Sequence, residues 1–324
     1  MKALCIFSGG LDSLISTIIL RNQGIDVQAV FFETPFFRSE NARISAERIG
    51  IPFISVDITA RHFKMLENPP HGYGANMNPC IDCHALMFKI AGEMLSEGRA
   101  SFIATGEVLG QRPFSQNKRA MAIVAKESGI ADLILRPLSA RLLSPSLPER
   151  EGWVTREALL GLQGRSRKPQ IRLAKDLGIT EYETPAGGCL LTEKTFSRRL
   201  KDLMLLKRKP IDPNQIELLR TGRHFRLSPE AKAVVGRNLS DNEKIVALAD
   251  KEDIIMNVEF FPGPTTLVSG EPEAKDIITA ASMTLSYSDA AVGTVSSVAV
   301  SGGRRPGSIT ATALPIDSFR HLMI

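Results

Sequence analysis

The feature that most constrains this chain lies at its start. A short apolar run, residues 3–7, passes directly into Ser8-Gly9-Gly10-Leu11-Asp12-Ser13, and residues 11–21 then repeat apolar side chains at helical spacing. That order describes a buried strand, a glycine turn and a helix. Two glycines let the backbone turn tightly and aim its N–H groups at an anion, and the start of the helix adds the positive end of its dipole. The hydroxyls of Ser8 and Ser13 supply further donors. The loop contains no lysine, so it is not a Walker A loop. Asp12 would repel phosphates unless it holds Mg²⁺ or caps the turn. Ser8, Gly9, Gly10, Leu11, Asp12 and Ser13 are therefore the expected ATP-binding set; an ordinary strand–turn–helix corner is the plain alternative.

Further along, strand and helix patterns alternate. Strands are expected at residues 27–32, 52–56, 101–105 and 133–135. Helices are expected at 39–49, with Ser39 as N-cap, and at 83–96, 115–127, 155–162 and 169–177. Alternation of this kind implies an α/β fold, a doubly wound parallel sheet covered on both faces. Past Gly222 the pattern changes to strand-like runs at 254–261, 265–269, 296–301 and 308–314 around a helix at 273–285, which suggests a smaller α+β domain. The expected division is residues 1–191, a basic helical connector 192–222, and residues 223–324. The 324 residues suit two domains. No apolar run is long enough to span a membrane and no leader is visible, so a cytoplasmic address is expected. The net charge of +5 permits an anionic partner without demanding one.

Of the four cysteines, Cys5 sits inside the first strand and reads as a small buried apolar residue. Cys80 and Cys83 form a C-x-x-C at a loop-to-helix junction, and Cys189 follows Ala186-Gly187-Gly188. In a reducing compartment this points to metal or redox chemistry. A helix N-terminus is expected to lower the thiol pKa. Three thiols on a [4Fe-4S] cluster leave one iron open to exogenous sulfide. Alternatively, two thiols carry a persulfide and resolve it as a disulfide. Zinc needs a fourth ligand, for which His84 is poorly placed and His71 is available.

The loop resembles that of the PP-loop ATP-pyrophosphatases, which implies cleavage of ATP between the α and β phosphates. Phe31 and Phe32, at the end of the second strand, match where such domains hold adenine, although core packing accounts for them nearly as well. Thr105-Gly106-Glu107, Gly110-Gln111 and Ser115-Gln116 resemble the signature of the tRNA 4-thiouridine synthase family, as do Cys80-x-x-Cys83-His84-x-x-Met87 and Arg136-Pro137-Leu138. Thr105, Gly106 and Gln111 thereby join the expected ATP site. The Pro79-Cys80 and Gly188-Cys189 placements are similar to those of tRNA 2-thiouridylases. The THUMP domain and the rhodanese domain of the 4-thiouridine family are both missing. Val235-Gly236-Arg237-Asn238, Asn242-Glu243 and Pro262-Gly263-Pro264 resemble the NFACT-R domain, an RNA-contacting module; a domain that only dimerises or braces the core is the alternative. Lys194, Arg198, Arg199, Lys201, Lys207, Arg208 and Lys209, joined by Arg165, Arg167, Lys168 and Arg172, offer a track for a phosphate backbone.

The resemblance implies a tRNA sulfurtransferase using ATP and Mg²⁺. Asp12, Cys80, Cys83 and Cys189 carry the chemistry, Arg112 or Lys118 faces the pyrophosphate, and free sulfide or a cysteine desulfurase is the sulfur donor. A sulfur transferase acting on a small molecule and an RNA-binding adaptor with a regulatory ATP site are the rivals.

Overall fold

The computed structural model describes residues 1–182, 189–205, 212–303 and 306–324. Thr184–Gly188 of the cysteine-bearing turn, the three basic residues Lys207, Arg208 and Lys209, and Arg304–Arg305 lie outside them. The chain divides into two compact units, Met1–Thr192 and Glu193–Ile324, so the stretch read as a connector falls almost entirely within the second.

In the first unit, β1 (Lys2–Ile6), β2 (Asp26–Glu33), β3 (Phe53–Asp57), β4 (Phe102–Thr105) and β5 (Ile134–Leu135) form one parallel sheet in the order β3-β2-β1-β4-β5. The central strand β1 is buried on both faces because successive side chains point opposite ways. Ala3, Cys5 and Phe7 pack with α1 (Leu11–Arg21), α2 (Glu40–Arg48) and α7 (Lys168–Asp176); Leu4 packs on the other face with α4 (Cys80–Ser96) and α5 (Lys118–Ser128). Cys5 stands level with Ala29 and Ala104 on its two neighbours. Burial pushes its thiol up to about 12, which makes it an inert core residue.

The remaining helices of this unit are α3 (Thr59–Glu67) and the short α6 (Leu147–Arg150). The helix expected at 155–162 is absent; only a 3₁₀ turn, Arg156–Ala158, forms. The amides of Leu160 and Leu162 instead donate to the carbonyls of Pro137 and Leu138, at 2.8 and 2.7 Å, so the segment runs extended beside the Arg-Pro-Leu stretch.

In the second unit, β6 (Arg223–Ser228), β7 (Ala231–Val235), β8 (Ile254–Val258), β9 (Thr266–Gly270), β10 (Val295–Gly302) and β11 (Gly307–Thr312) form an antiparallel sheet ordered β11-β10-β8-β9-β7-β6. The pair β6–β7 escaped the sequence reading because Arg223, Arg226 and Lys232 break its apolar pattern. Lys232 is nonetheless buried, and burial lowers its pKa to about 8 despite Asp202 at 3.7 Å. Asp202 belongs to α8 (Lys194–Leu205); α9 (Pro213–Leu218), α10 (Leu239–Leu248) and α11 (Ala274–Ser286) complete the unit. Arg199 on α8 turns inward to the carbonyls of Leu219 and Gly222, so it is not part of an exposed basic track, whereas Lys194, Arg198 and Lys201 are exposed. No helix among the described residues is long and apolar enough to cross a membrane.

Candidate active site

In a doubly wound sheet, ligands bind beyond the carboxyl ends of the strands, where the strand order reverses. Here the reversal falls between β1 and β4. The glycine loop leaves the end of β1, and Thr105-Gly106-Glu107 leaves the end of β4, so the topology alone brings the two motifs together.

Gly9 has φ of +76°, and a Cβ there would sit 2.7 Å from the Cα of Ala42. Both facts require glycine. Gly10 caps α1 in extended conformation, and no side chain caps the first turn of that helix. Its N-terminal dipole and donors thus face the loop as an anion site. Ser13 Oγ donates to Gly10 O at 2.8 Å and lies 3.4 Å from Ser8 Oγ, which places both hydroxyls in the loop. Gly106 lies against the loop backbone: a Cβ would come within 2.6 Å of Asp12 C and Ser13 N. Thr105 O accepts from Ser16 Oγ at 3.2 Å.

Gln111 Nε2 donates to Asp12 Oδ2 at 2.7 Å, while Asp12 Oδ1 is buried with no hydrogen-bond partner. A buried, unpaired carboxylate oxygen is costly unless something positive completes it. Its place at the anion loop suits Mg²⁺, a hard cation that takes one or two carboxylates and shares phosphate oxygens. Arg167, at 4.0 Å from Asp12 Oδ2, faces the same carboxylate. The sequence groups Arg167 with the phosphate-backbone track and offers Arg112 or Lys118 for the pyrophosphate. Of the aromatic pair, Phe32 is taken up by the core, whereas Phe31 is half-buried and meets Phe37 edge-on, with ring centroids 6.3 Å apart.

The cysteine helix starts three residues earlier than expected, at Cys80, so Cys80 and Cys83 share its first turn and one face. Asn78 Nδ2 lies 3.3 Å from Cys80 Sγ, and His62 Nε2 lies 3.5 Å from Cys83 Sγ. His62 is fully buried between Phe36 and Phe37, and burial lowers its pKa to about 4. Cys189 comes from a distant stretch of chain. Cys83 is pushed well above the ordinary thiol value by burial, then by Cys189 and Cys80; burial takes Cys189 up to about 12, against the pull of a Leu191 backbone hydrogen bond and of Arg112. At Cys83 the direction is thus the opposite of the lowering expected from the helix N-terminus, with burial the main cause.

The three thiols therefore feel one another, yet among the described residues their sulfurs do not gather within 4.8 Å of one another. A zinc ion with Zn–S bonds of 2.3 Å would draw them to about 3.8 Å. This spacing does not fit a preformed mononuclear site. The donors that meet there are three soft thiols, with the His62 imidazole beside Cys83. His71 is committed elsewhere: its Nδ1 meets Asp82 at 2.9 Å and its Nε2 meets Glu127 at 3.2 Å, an arrangement that suits a pinned imidazolium.

Glu107 joins the two regions. It is buried, its Oε1 meets His84 Nδ1 at 3.0 Å and its Oε2 accepts from Arg136 Nε at 2.8 Å. Burial pushes its carboxyl up, but Arg136 and His84 together overcome this and hold it at about 2. His84 is therefore a positioned partner of the Thr-Gly-Glu motif. Neither Glu107 nor Arg136 was singled out as a site residue, although both lie in quoted motifs.

Over residues 1–141 the chain matches the family described as thiamine biosynthesis protein (ThiI). Residues 222–322 match the NFACT protein RNA binding domain. The resemblances read from the sequence thus hold on both units. The tRNA-specific 2-thiouridylase MnmA of Karelsulcia muelleri is 30% identical over 34% of this chain and 32% of its own length. A probable tRNA sulfurtransferase of Staphylococcus epidermidis is 28% identical over 42% of this chain and 34% of its own length. This chain spans about a third of the length of both. The MnmA of Lactobacillus gasseri is 23% identical over 82% of this chain and 76% of its own length. A solved structure, the predicted subunit of tRNA methyltransferase from Methanocaldococcus jannaschii, is 20% identical over 42% of this chain and 69% of that one, at a TM-score of 0.33, a likeness too slight to argue from.

Proposed function

We propose that the protein is an ATP-dependent sulfurtransferase acting on a uridine of tRNA. The observation that carries this reading is the placing of two adjacent residues. Gly106 packs on the backbone of the phosphate loop, and Glu107 binds the helix that carries Cys80 and Cys83. An ATP site and a thiol site on one strand end suit a reaction in which ATP activates what sulfur then attacks. The RNA binding domain model on the second unit favours RNA over a small acceptor.

In this reading ATP lies at Ser8–Ser13, with Phe31 toward adenine and Thr105, Gly106 and Gln111 walling the site. Asp12 would hold Mg²⁺, which neutralises charge on the phosphates. The uridine carbonyl oxygen bonds to the α phosphorus as the α–β bridge breaks, and pyrophosphate leaves toward the loop N–H groups and Arg167. Sulfur then bonds to the ring carbon, the C–O bond breaks, and AMP departs with the former carbonyl oxygen. Cys80, Cys83 and Cys189 would hold a [4Fe-4S] cluster, which supplies a coordination position for inorganic sulfide. Without it, a persulfide on one cysteine gives up its outer sulfur and closes a disulfide with a second. The target base must leave its stack to reach such a site.

The test is anaerobic purification followed by iron and acid-labile sulfide analysis, then turnover with ATP, sulfide and unmodified tRNA. Thionucleoside and AMP should form in equal amounts, and Cys80→Ala, Cys83→Ala and Cys189→Ala should each lose thionucleoside while still binding ATP. Turnover that persists without all three cysteines would sink the proposal. Iron-free protein that fails reconstitution yet turns over with a persulfide donor would retain the reaction and replace the cluster.

A further inference from the structure

The first two turns of α7 lie outside the motifs that define the ATP site, yet they reach it. Gln170 is 1% exposed, and its Nε2 donates to Gln111 Oε1 at 3.2 Å. Gln111 in turn gives its own Nε2 to Asp12 Oδ2 at 2.7 Å. The two amides therefore have a fixed polarity. The carboxylate only accepts, so Gln111 presents its NH₂ forward to Asp12 and its carbonyl backward, where the Gln170 NH₂ meets it. The bond occupies Oδ2 and leaves Oδ1 buried with no partner. A buried amide chain that ends on a carboxylate is directional: the carboxylate sets Gln111, and the Gln170 donor completes its carbonyl.

We propose that Gln170 is a positioning residue for the ATP site, orienting Asp12 through Gln111 so that Oδ1 is held ready for a divalent cation. The inference rests on the reading of Asp12 as the cation ligand. It makes the segment around α7 part of the nucleotide machinery, where the sequence alone had suggested a helix belonging to an RNA track. Outer partners of this kind typically change metal affinity by about 10–100-fold when removed.

Two variants separate orientation from packing. Gln170→Met keeps the volume and removes the donor. Gln170→Glu keeps the shape and, buried beside the Gln111–Asp12 pair, is held protonated, so its O–H donates to Gln111 Oε1 in place of the amide. Binding of Mn²⁺ in the presence of α,β-methylene ATP, which cannot be cleaved between those phosphates, is read by electron paramagnetic resonance beside a thermal melt. Gln170→Met should bind Mn²⁺ about tenfold or more weakly than wild type, and Gln170→Glu, which keeps a donor, should restore most of that affinity. In turnover Gln170→Met should lose kcat more than it raises the KM for ATP. A folded Gln170→Met protein with wild-type Mn²⁺ affinity, or equal loss in the two variants, overturns this inference alone. Wild-type protein that binds neither Mn²⁺ nor the analogue overturns the reading of the ATP site, and this inference with it.

Discussion

At the phosphate loop, the backbone prepares the site before any ligand arrives. Gly9 and Gly106 bring chain segments to separations that no Cβ would allow, Ser13 pins the turn, and two amides aim Asp12. At the cysteine site, a few residues away through Glu107, the three sulfurs share a region without sharing a bond, and burial keeps Cys83 and Cys189 protonated. The first arrangement is rigid and nearly satisfied; the second is short of a partner. On the proposed reading a nucleotide would meet a formed cradle, whereas whatever occupies the thiols would have to displace protons and draw them together.

The sharpest way to break this contrast is Asp12→Asn. It preserves the shape of the loop and removes the charge, so ATP turnover should fall by about 10²–10³-fold while the fold and the reactivity of the cysteines stay unchanged. Pyrophosphate release and a thermal melt read the two halves of that statement; equal damage to both would mean that the loop is merely structural.

Glu107→Gln tests the join. Removing the carboxylate leaves Arg136 and His84 without their buried counter-charge, which should cost about 3–5 kcal/mol of stability. It should also loosen both sites at once. The same group gives a pH signature. Its folded pKa, about 2, lies below the ordinary value of 4.5, so its stabilisation is complete above pH 4.5 and is lost as pH falls through about 2. That loss amounts to about 3 kcal/mol. Urea titrations at several acid pH values should show a slope that Glu107→Gln lacks.

The smallest effect is expected in the second unit. Asp276, buried in the second unit, accepts from Ser228 Oγ at 2.9 Å and from Glu273 N at 3.0 Å. Ser228→Ala should cost about 1 kcal/mol and leave ATP turnover untouched. A loss of turnover there would mean that the second unit contributes to the ATP reaction.

Much of this was legible in the sequence because it depends on local pattern. The glycine loop, the alternation of strands and helices, and the placing of Cys80 and Cys83 near a helix start all follow from spacing along the chain. What was not legible depends on contacts between distant segments. Glu107 stood in a quoted motif, but its worth comes from Arg136 and His84, neither of them a neighbour in sequence. Arg167 reads as part of a basic track and Gln170 as an ordinary helix residue because only the folded chain brings Arg167 to Asp12 and Gln170 to Gln111. Residues 155–162 have helical spacing, yet they pair with the Arg-Pro-Leu stretch because tertiary hydrogen bonds outweigh local propensity. In the second unit β6 and β7 were hidden by charged side chains that pair instead of facing water. Thiol acidity was misjudged because the dipole is a local property and burial is not.

The order of strands in the first sheet bears on how the protein is made. β1, β2 and β3 can pair as soon as the first 57 residues leave the ribosome, but β1 finds its other neighbour only when Ala3 meets Phe102. Pairings of such separation close slowly, and the open edge of β1 stays available to other chains until they do. The phosphate loop leaves that same strand, so a nascent chain carries half a nucleotide cradle through most of the synthesis of its first unit. The amide of Gln170 arrives last, and the site becomes competent only when the whole unit is present.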